Sequence, residues 1–217
     1  SASGGVIIGM FIGKEEYLHL QSQCVVPTTA IFSGAPLDKR LNLLKHIWFD
    51  TKPLSVIYSD HLQMDKVAMM EDAAQYGFEL QFLETKTDRV SVLKSVNFAL
   101  ENSEIIFSLV DSEMYRHGVV QDVLRLLFHK QQVMIGPSAA FVRAGSLLAI
   151  YSTSEEKLST LAEYVEEWQR SGLLKEAAYP DSLSVRFNPY LIKSHGIVLP
   201  SASYLKDQYD LCSDKQC

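Results

Sequence analysis

The sequence predicts an α/β protein built on a doubly wound parallel sheet, and three observations favour this class. Short apolar runs such as EIIFSLV, QVMIG and LLAIY are bounded by polar, glycine or proline residues, as in strands that are buried on both faces. Amphipathic helical patterns separate these runs. Residues 54–172 therefore alternate between strand and helix, which predicts parallel strands joined by right-handed crossovers.

The first part of the chain carries two expected strands and a strong helix. GVIIGMFIG is rich in β-branched residues and predicts a strand, KEEYLHLQSQ predicts a short helix, and VVPTTAIFSG predicts a second strand. APLDKRLNLLKHIWF then places its large apolar residues on one face, which predicts an amphipathic helix. The regular alternation begins only after this helix.

Within the alternation, LSVIYSD and FELQFLET predict strands, each followed by a helical pattern. The second of these helices has Thr87 or Asp88 as its N-cap. A longer helix is expected over SEMYRHGVVQDVLRLLFHKQ, beginning at Ser112. The last helix is expected to be capped by Ser154 and to end at Gly172.

The pattern changes after residue 172. SLSVRFN predicts a short strand, PYLIKSHG a short helix, and IVLPSASYLKDQYDLC a turn and a final helix. Neither these pieces nor the first part of the chain fit the alternation. We therefore expect two lobes: residues 1–35 plus 182–217 as a partial first lobe, and residues 36–181 as a large second lobe. A chain that leaves one lobe and returns to it is typical of hinged ligand-binding proteins.

Composition excludes several classes of partner. The 217 residues carry a net charge of −6 and no cluster of Lys or Arg, which argues against nucleic acid. No apolar run is long enough to span a bilayer. The start lacks a basic region, so we expect a mature or trimmed N-terminus rather than an intact signal peptide. Cys212 and Cys217 could pair in an oxidising compartment or remain thiols.

Motifs for catalysis and for cofactors are missing from the sequence. It contains no GxGxxG, Walker A or GxSxG pattern. The six histidines are dispersed, without the spacing of metal ligands. The sequence therefore predicts no cofactor, no metal site and no enzymatic activity.

Four stretches in a fixed order carry a resemblance to a known family: PLDKRLNLLKHIWFDTKPLSVIYSD, LVDSEMYRHGVVQDVLRLLF, VMIGPSAAFVRAGSLLAIYSTSEE and YPDSLSVRFNPYLIKSHGIVLP. The chain resembles the ABC-transporter substrate-binding-like family of bacterial periplasmic proteins, in a proteobacterial branch of unknown ligand. The resemblance implies a two-lobed, type I-like periplasmic-binding-protein fold whose first lobe is incomplete. It also implies a periplasmic location, a small-molecule ligand, and an ABC permease or membrane sensor as partner.

The resemblance implies a ligand site at the strand ends that face the space between the lobes. The expected ligand-binding residues are Ser33, Gly34, Tyr58, Ser59, Asp111, Ser138, Phe141 and Tyr151. Tyr58, Asp111, Ser138 and Tyr151 are expected to converge on one concavity. Helix N-termini at this edge favour a carboxylate, and Asp111 would suit an ammonium. The expected ligand is therefore an amino acid or a related zwitterion.

Structural interpretations of the same residues stay open. Asp111 could cap a helix beginning at Ser112, and residues 136–138 could form only a turn. Phe141 and Tyr151 could pack against each other. The alternative function is a ligand-free interaction protein that uses the same fold with a reduced first lobe. Its open sheet edge or an exposed apolar face would be covered by a partner or by a second copy of the chain, as in a homodimer.

Overall fold

The computed structural model describes residues 4–213, and its strands form two sheets of different size. The smaller sheet contains two parallel strands, β1 (Ile7–Ile12) and β2 (Thr28–Phe32). The larger sheet has seven strands. They are β3 (Leu54–Tyr58), β4 (Leu80–Glu84), β5 (Ile105–Phe107), β6 (Val133–Gly136), β7 (Leu148–Tyr151), β8 (Leu183–Phe187) and β9 (Leu211–Ser213).

The order of the larger sheet is β4–β3–β5–β6–β7–β8–β9. Strands β3 to β7 pair in parallel throughout. The prediction that the strands at 54–59, 104–110 and 132–136 pair in parallel is therefore confirmed. All residues of β3, β5 and β6 are buried, which explains why these strands are continuous apolar runs in the sequence.

Helices cover both faces of the larger sheet, as expected for a doubly wound fold. The helices are α1 (Lys14–Gln21), α2 (Leu37–Ile47), α3 (Lys66–Gln75), α4 (Arg89–Ala99), α5 (Val119–His129), α6 (Ala139–Ala144), α7 (Ser154–Ser171), α8 (Pro189–Ser194) and α9 (Ala202–Tyr209). Ile105 and Phe107 pack with α2, α3, α8 and α9 on one face, whereas Ile106 packs with α4 and α5 on the other.

The sequence predicted that helix α5 begins at Ser112, but it begins at Val119. His117 has φ 55° and Gly118 has φ 81°, and both values lie in the left-handed region. An α-helix cannot continue through these conformations, so the preceding residues form turns instead. This stretch of turns follows the end of β5 and borders the space between the lobes.

The N-caps of α4 and α7 are set by their own side chains. Asp88 Oδ1 accepts a hydrogen bond of 2.9 Å from Ser91 N, so Asp88 is the cap of α4. The cap of α7 is Thr153 and not Ser154. Its Oγ1 accepts from Glu156 N at 3.2 Å, and Glu156 Oε2 accepts from Thr153 N at 2.8 Å. These reciprocal bonds form a capping box, whereas the sequence predicted a simple cap one residue later.

The C-terminal segment lies in the larger sheet, so its expected place in the first lobe is wrong. β8 pairs antiparallel with β7, and β9 pairs parallel with β8. Leu183 and Val185 are buried in the larger core. Strand β8 thus extends the sheet beyond β7, as an antiparallel edge strand on an otherwise parallel sheet often does. Cys217, and with it the question of a Cys212–Cys217 pair, lies outside the described residues.

Residues 154–179 return to the small sheet in place of that segment. Helix α7 packs against β2. Phe32 N donates to Ala178 O at 2.9 Å, and Ala178 N donates to Ala30 O at 3.1 Å. We call residues 7–32 and 154–179 the small lobe, and residues 37–151 and 183–213 the large lobe. This division differs from the expected one, because α7 starts beside the large sheet and packs on the small sheet.

Candidate functional site

A cleft of about 580 Å³ lies between the lobes, where the carboxyl ends of β5, β6 and β7 meet the small lobe. We call it the interlobe cleft. Six of the eight expected ligand-binding residues line it: Ser33, Gly34, Asp111, Ser138, Phe141 and Tyr151. The parallel topology produces this convergence, because crossover helices return every strand to the same edge of the sheet. Their contact with a ligand stays a prediction.

Tyr58 and Ser59 lie elsewhere, so the expected convergence of Tyr58 with the other residues is wrong. Tyr58 is buried in the core of the large lobe, with its ring 6.4 Å from that of Phe82. Its hydroxyl accepts a hydrogen bond from Lys66 Nζ. Ser59 is fully buried. Tyr58 is the last residue of β3 and Ser59 follows it, and β3 lies one strand farther from the interlobe cleft than β5 does.

Asp111 is committed to hydrogen bonds within the protein. Its Oδ2 accepts from Ser59 N at 2.8 Å, and its Oδ1 accepts from Ser59 Oγ at 2.9 Å and from Met114 N at 3.3 Å. The residue is only 5% exposed. The structural alternative is therefore favoured, although Asp111 caps a turn and not helix α5. The expected pairing of Asp111 with a ligand ammonium loses its support.

Phe141 lines the interlobe cleft and packs closely against Gly136. A Cβ at Gly136 would lie 2.6 Å from Ser146 Oγ and 2.8 Å from Phe141 Cβ, so no larger residue fits. The Phe141 ring meets that of Tyr115 at 84°, with 5.3 Å between the ring centroids. This edge-to-face pair forms an aromatic wall. Burial raises the pKa of the Tyr115 phenol, which therefore stays neutral at physiological pH.

Two residues of the small lobe complete the interlobe cleft and were missed in the sequence. Phe11 is 60% exposed and has φ 56°, a strained conformation for an aromatic residue. Lys157, in the first turn of α7, places its Nζ 4.9 Å from the centre of the Phe11 ring. Burial lowers the pKa of Lys157. The sequence offered one sign that Lys157 lines the cleft, which is its position shortly after a strand end that borders the expected site.

Glu16 joins the two lobes beside the interlobe cleft. Its Oε1 accepts from Gly13 N at 3.1 Å within the small lobe. Its Oε2 accepts from Ser112 N at 3.2 Å and from Ser112 Oγ at 2.8 Å in the large lobe. The lobes also approach closely here: a Cβ added at Gly13 would lie only 2.6 Å from Val110 Cβ. A buried, fully engaged carboxylate thus fixes the relative position of the lobes.

A second cavity of about 520 Å³ lies on the other side of Gly34, Val110 and Pro137. We call it the acidic cavity, because carboxylates outnumber basic groups among its ionisable side chains: Glu15, Asp38, Asp65 and Asp72 against Lys14 and Arg40. Burial raises the pKa of the carboxyl of Glu15 and that of the Tyr179 phenol, which also borders this cavity.

Arg40 is the buried cation of the acidic cavity, and it has a structural role. Its Nη2 donates to Ser108 O at 2.7 Å and to Ile135 O and Gly136 O at 3.3 Å. The guanidinium lies 4.0 Å from the centre of the Phe107 ring. Burial lowers its pKa to about 10, so it stays charged at neutral pH. Arg40 therefore ties the carboxyl ends of β5 and β6 together.

The described residues were also searched for metal sites and for membrane spans. In the range 4–213, no group of three or more His, Cys, Asp or Glu side chains is placed to hold a metal ion. No helix within this range combines the length and the apolar character needed to cross a bilayer.

The fold matches solved structures of substrate-binding proteins. A domain in complex with L-Trp from Streptococcus pneumonia has a TM-score of 0.65 at 13% identity, covering 83% of this chain and 62% of its own. A substrate binding protein with adhesive properties from Clostridium difficile, ligand-free and open, has a TM-score of 0.59 at 15% identity, covering 88% and 63%. The chain has the fold of ABC-type substrate-binding proteins.

A conserved domain protein from Vibrio cholerae is also similar, with a TM-score of 0.63 at 19% identity, covering 82% of this chain and 61% of its own. The chain thus spans 61–63% of the length of these three structures. No protein-family model matches the sequence, and no curated protein matches it either. These similarities establish the substrate-binding-protein fold of the chain.

Proposed function

We propose that the protein binds a small organic solute in the interlobe cleft, as a member of the ABC-transporter substrate-binding-like family. The observation that carries the proposal is the interlobe cleft itself. It lies at the carboxyl ends of parallel strands, and both lobes contribute aromatic and polar side chains to it. Its volume of about 580 Å³ is in the usual range for a small-molecule site.

The chemistry of the interlobe cleft favours binding over catalysis. No histidine or cysteine among residues 4–213 lines it, so Ser138 and Ser152 have no imidazole base beside them there. Asp111 is engaged by backbone and hydroxyl donors. What remains is a set of rings, hydroxyls and basic groups, which suits recognition of a ligand.

The two-lobe arrangement gives binding a means of signalling. A ligand that contacts Phe11 or Lys157 of the small lobe and Ser138 of the large lobe would favour one relative position of the lobes. The surface presented by the closed lobes would then be read by an ABC permease or a membrane sensor in the periplasm. The Glu16–Ser112 contact would hold this closed arrangement.

A thermal-melting screen of purified protein against amino acids, organic acids and sugars tests the proposal. A ligand at a hundred times its Kd should stabilise the protein by about 2.7 kcal/mol. Phe141→Ala removes an aromatic wall of the interlobe cleft and should abolish the ligand-induced shift. Phe98→Ala, on the exposed face of α4, is the control and should keep it. Equal shifts in both variants would place the ligand elsewhere.

The open edge of the small sheet favours a second candidate, an interaction protein such as a homodimer. Within residues 4–213, β1 pairs only with β2, and its Ile7 and Phe11 are 48% and 60% exposed. Exposed strand edges of this kind pair with further strands. Size-exclusion chromatography with light scattering decides this candidate. It predicts a dimer that Ile7→Lys dissociates, and a monomer at high concentration contradicts it.

A further inference from the structure

We propose that the interlobe cleft takes an organic anion with a flat, aromatic body and no ammonium group. This inference deepens the proposed function and rests on it. It replaces the zwitterion that the sequence suggested with a more specific ligand class. Four features of the interlobe cleft support it: a cation that forms no ion pair, an engaged carboxylate, unused hydroxyls and a set of rings.

Lys157 supplies the cation. No ion pair among the described residues involves its ammonium, and its nearest ring is that of Phe11, at 4.9 Å. Arg143 also lines the interlobe cleft. Arg186 lines it as well but already has an interaction of its own. The carboxylate of Glu156, the preceding residue of α7, acts on this ammonium electrostatically but forms no ion pair with it. An anion that enters beside the partly buried ammonium would therefore stabilise it.

Among residues 4–213, the only carboxylate that lines the interlobe cleft is that of Asp111. Its two oxygens already accept three hydrogen bonds, two from Ser59 and one from Met114. A ligand ammonium would therefore find no acidic partner, and it would be repelled by Lys157. An anion that lacks the ammonium avoids both costs.

Hydroxyl donors suited to an anion remain unused. Ser152 is 4% exposed, lines the interlobe cleft, and its Oγ has no hydrogen-bond partner. A buried hydroxyl of this kind usually has a partner, and a ligand oxygen would supply it. Ser138 occupies the N-cap position of α6, yet its side chain makes no capping bond. Both hydroxyls can donate to a carboxylate.

Aromatic rings define the body of the ligand. Phe141 and Tyr115 form the wall in the large lobe, and Phe11 projects from the small lobe. The φ of Phe11, 56°, holds this ring in an exposed position at a bulge of β1. Strained residues persist where the surrounding structure fixes them, and they concentrate at ligand sites. A flat ligand can lie between these rings with its anionic group toward Lys157.

Isothermal titration of the purified chain with 3-phenylpropionate, L-phenylalanine and 2-phenylethylamine separates the ligand classes, because the three probes share one ring. We expect 3-phenylpropionate to bind at least tenfold more tightly than L-phenylalanine, and 2-phenylethylamine to give no binding. Lys157→Met should weaken 3-phenylpropionate binding by tenfold or more. Lys175→Met is the matched control, because Lys175 lies over Tyr164, at 5.6 Å, and does not line the interlobe cleft.

The outcomes of these titrations test the proposed anion class separately from the proposed function of solute binding. If L-phenylalanine binds as tightly as 3-phenylpropionate, the anion class is wrong and solute binding stands. If Lys157→Met and Lys175→Met bind 3-phenylpropionate equally well, Lys157 is not the anion partner and the inference is overturned. If no probe binds and the screen of amino acids, organic acids and sugars also finds no ligand, both this inference and the proposed function fail.

Discussion

The interlobe cleft and the acidic cavity have similar volumes and share part of their walls, but their polar groups do different things. In the acidic cavity, Nη2 of the buried Arg40 donates to backbone carbonyls at the ends of β5 and β6, although its Nε is without a partner. In the interlobe cleft, Lys157 and Ser152 have no such commitment. A cavity of suitable size is therefore not enough to identify a binding site. Polar groups left without partners are the more specific sign.

Arg40→Met should have the largest effect on stability. Ser108 O loses its charge-assisted donor, so the free energy of unfolding should fall by about 3 kcal/mol in urea denaturation. Lys45→Met, on the exposed side of the same helix, is the control and should change little. Ligand affinity at the interlobe cleft should survive in the folded fraction of Arg40→Met. A selective loss of affinity would show that the two cavities are not independent.

Asp111→Ala sharpens the comparison inside the interlobe cleft. Because Ser59 N and Met114 N lose their acceptor, the free energy of unfolding should fall by about 2 kcal/mol. Ser59→Ala removes only a hydroxyl and keeps the backbone bond, so its loss should be about 1 kcal/mol. If Asp111→Ala keeps its stability and loses affinity for a zwitterion, Asp111 contacts the ligand after all.

Gly13→Ala tests how closely the lobes approach. The added Cβ would lie 2.6 Å from Val110 Cβ, so we expect a loss of about 1.5 kcal/mol from overpacking. Small-angle scattering should also show a larger radius of gyration, because the lobes are wedged apart. Gly5→Ala has open space around its Cβ and serves as the control. An unchanged melting temperature and radius in Gly13→Ala would mean that Val110 yields.

Glu15→Gln should give the smallest effect, and the effect should depend on pH. Burial raises the pKa of Glu15 above its ordinary value of 4.5, so the folded state holds this proton more tightly than the unfolded chain does. The carboxyl therefore favours folding below pH 4.5, and this advantage is lost as the pH rises through the folded pKa. Glu15→Gln should raise the melting temperature more at pH 7 than at pH 4.

Glu101→Gln, at an exposed position, is the control for this pH dependence. Its melting temperature should match that of the parent at both pH values. If Glu15→Gln instead lowers the melting temperature at pH 7, the carboxylate of Glu15 stabilises the protein through Arg40. The acidic cavity would then contain a stabilising ion pair between Glu15 and Arg40.

The sequence predicted the central sheet well, because strands buried on both faces leave continuous apolar runs. It placed Asp111, Ser138 and Tyr151 at one cleft, because topology alone brings parallel strand ends together. It misplaced β8, since pairing with β7 depends on which edge is open in the assembled sheet. It also missed Phe11, because neither a positive φ nor a contact between distant segments leaves a local pattern.

Hydrogen–deuterium exchange with and without 3-phenylpropionate tests the central claim most directly, since it reports where a ligand acts. We predict slower exchange at residues 138–143 and 151–157, around the end of β6 and the start of α7. Exchange in α3, which borders the acidic cavity, should stay the same. Protection of α3 without protection at the interlobe cleft would contradict the claim and identify the acidic cavity as the site.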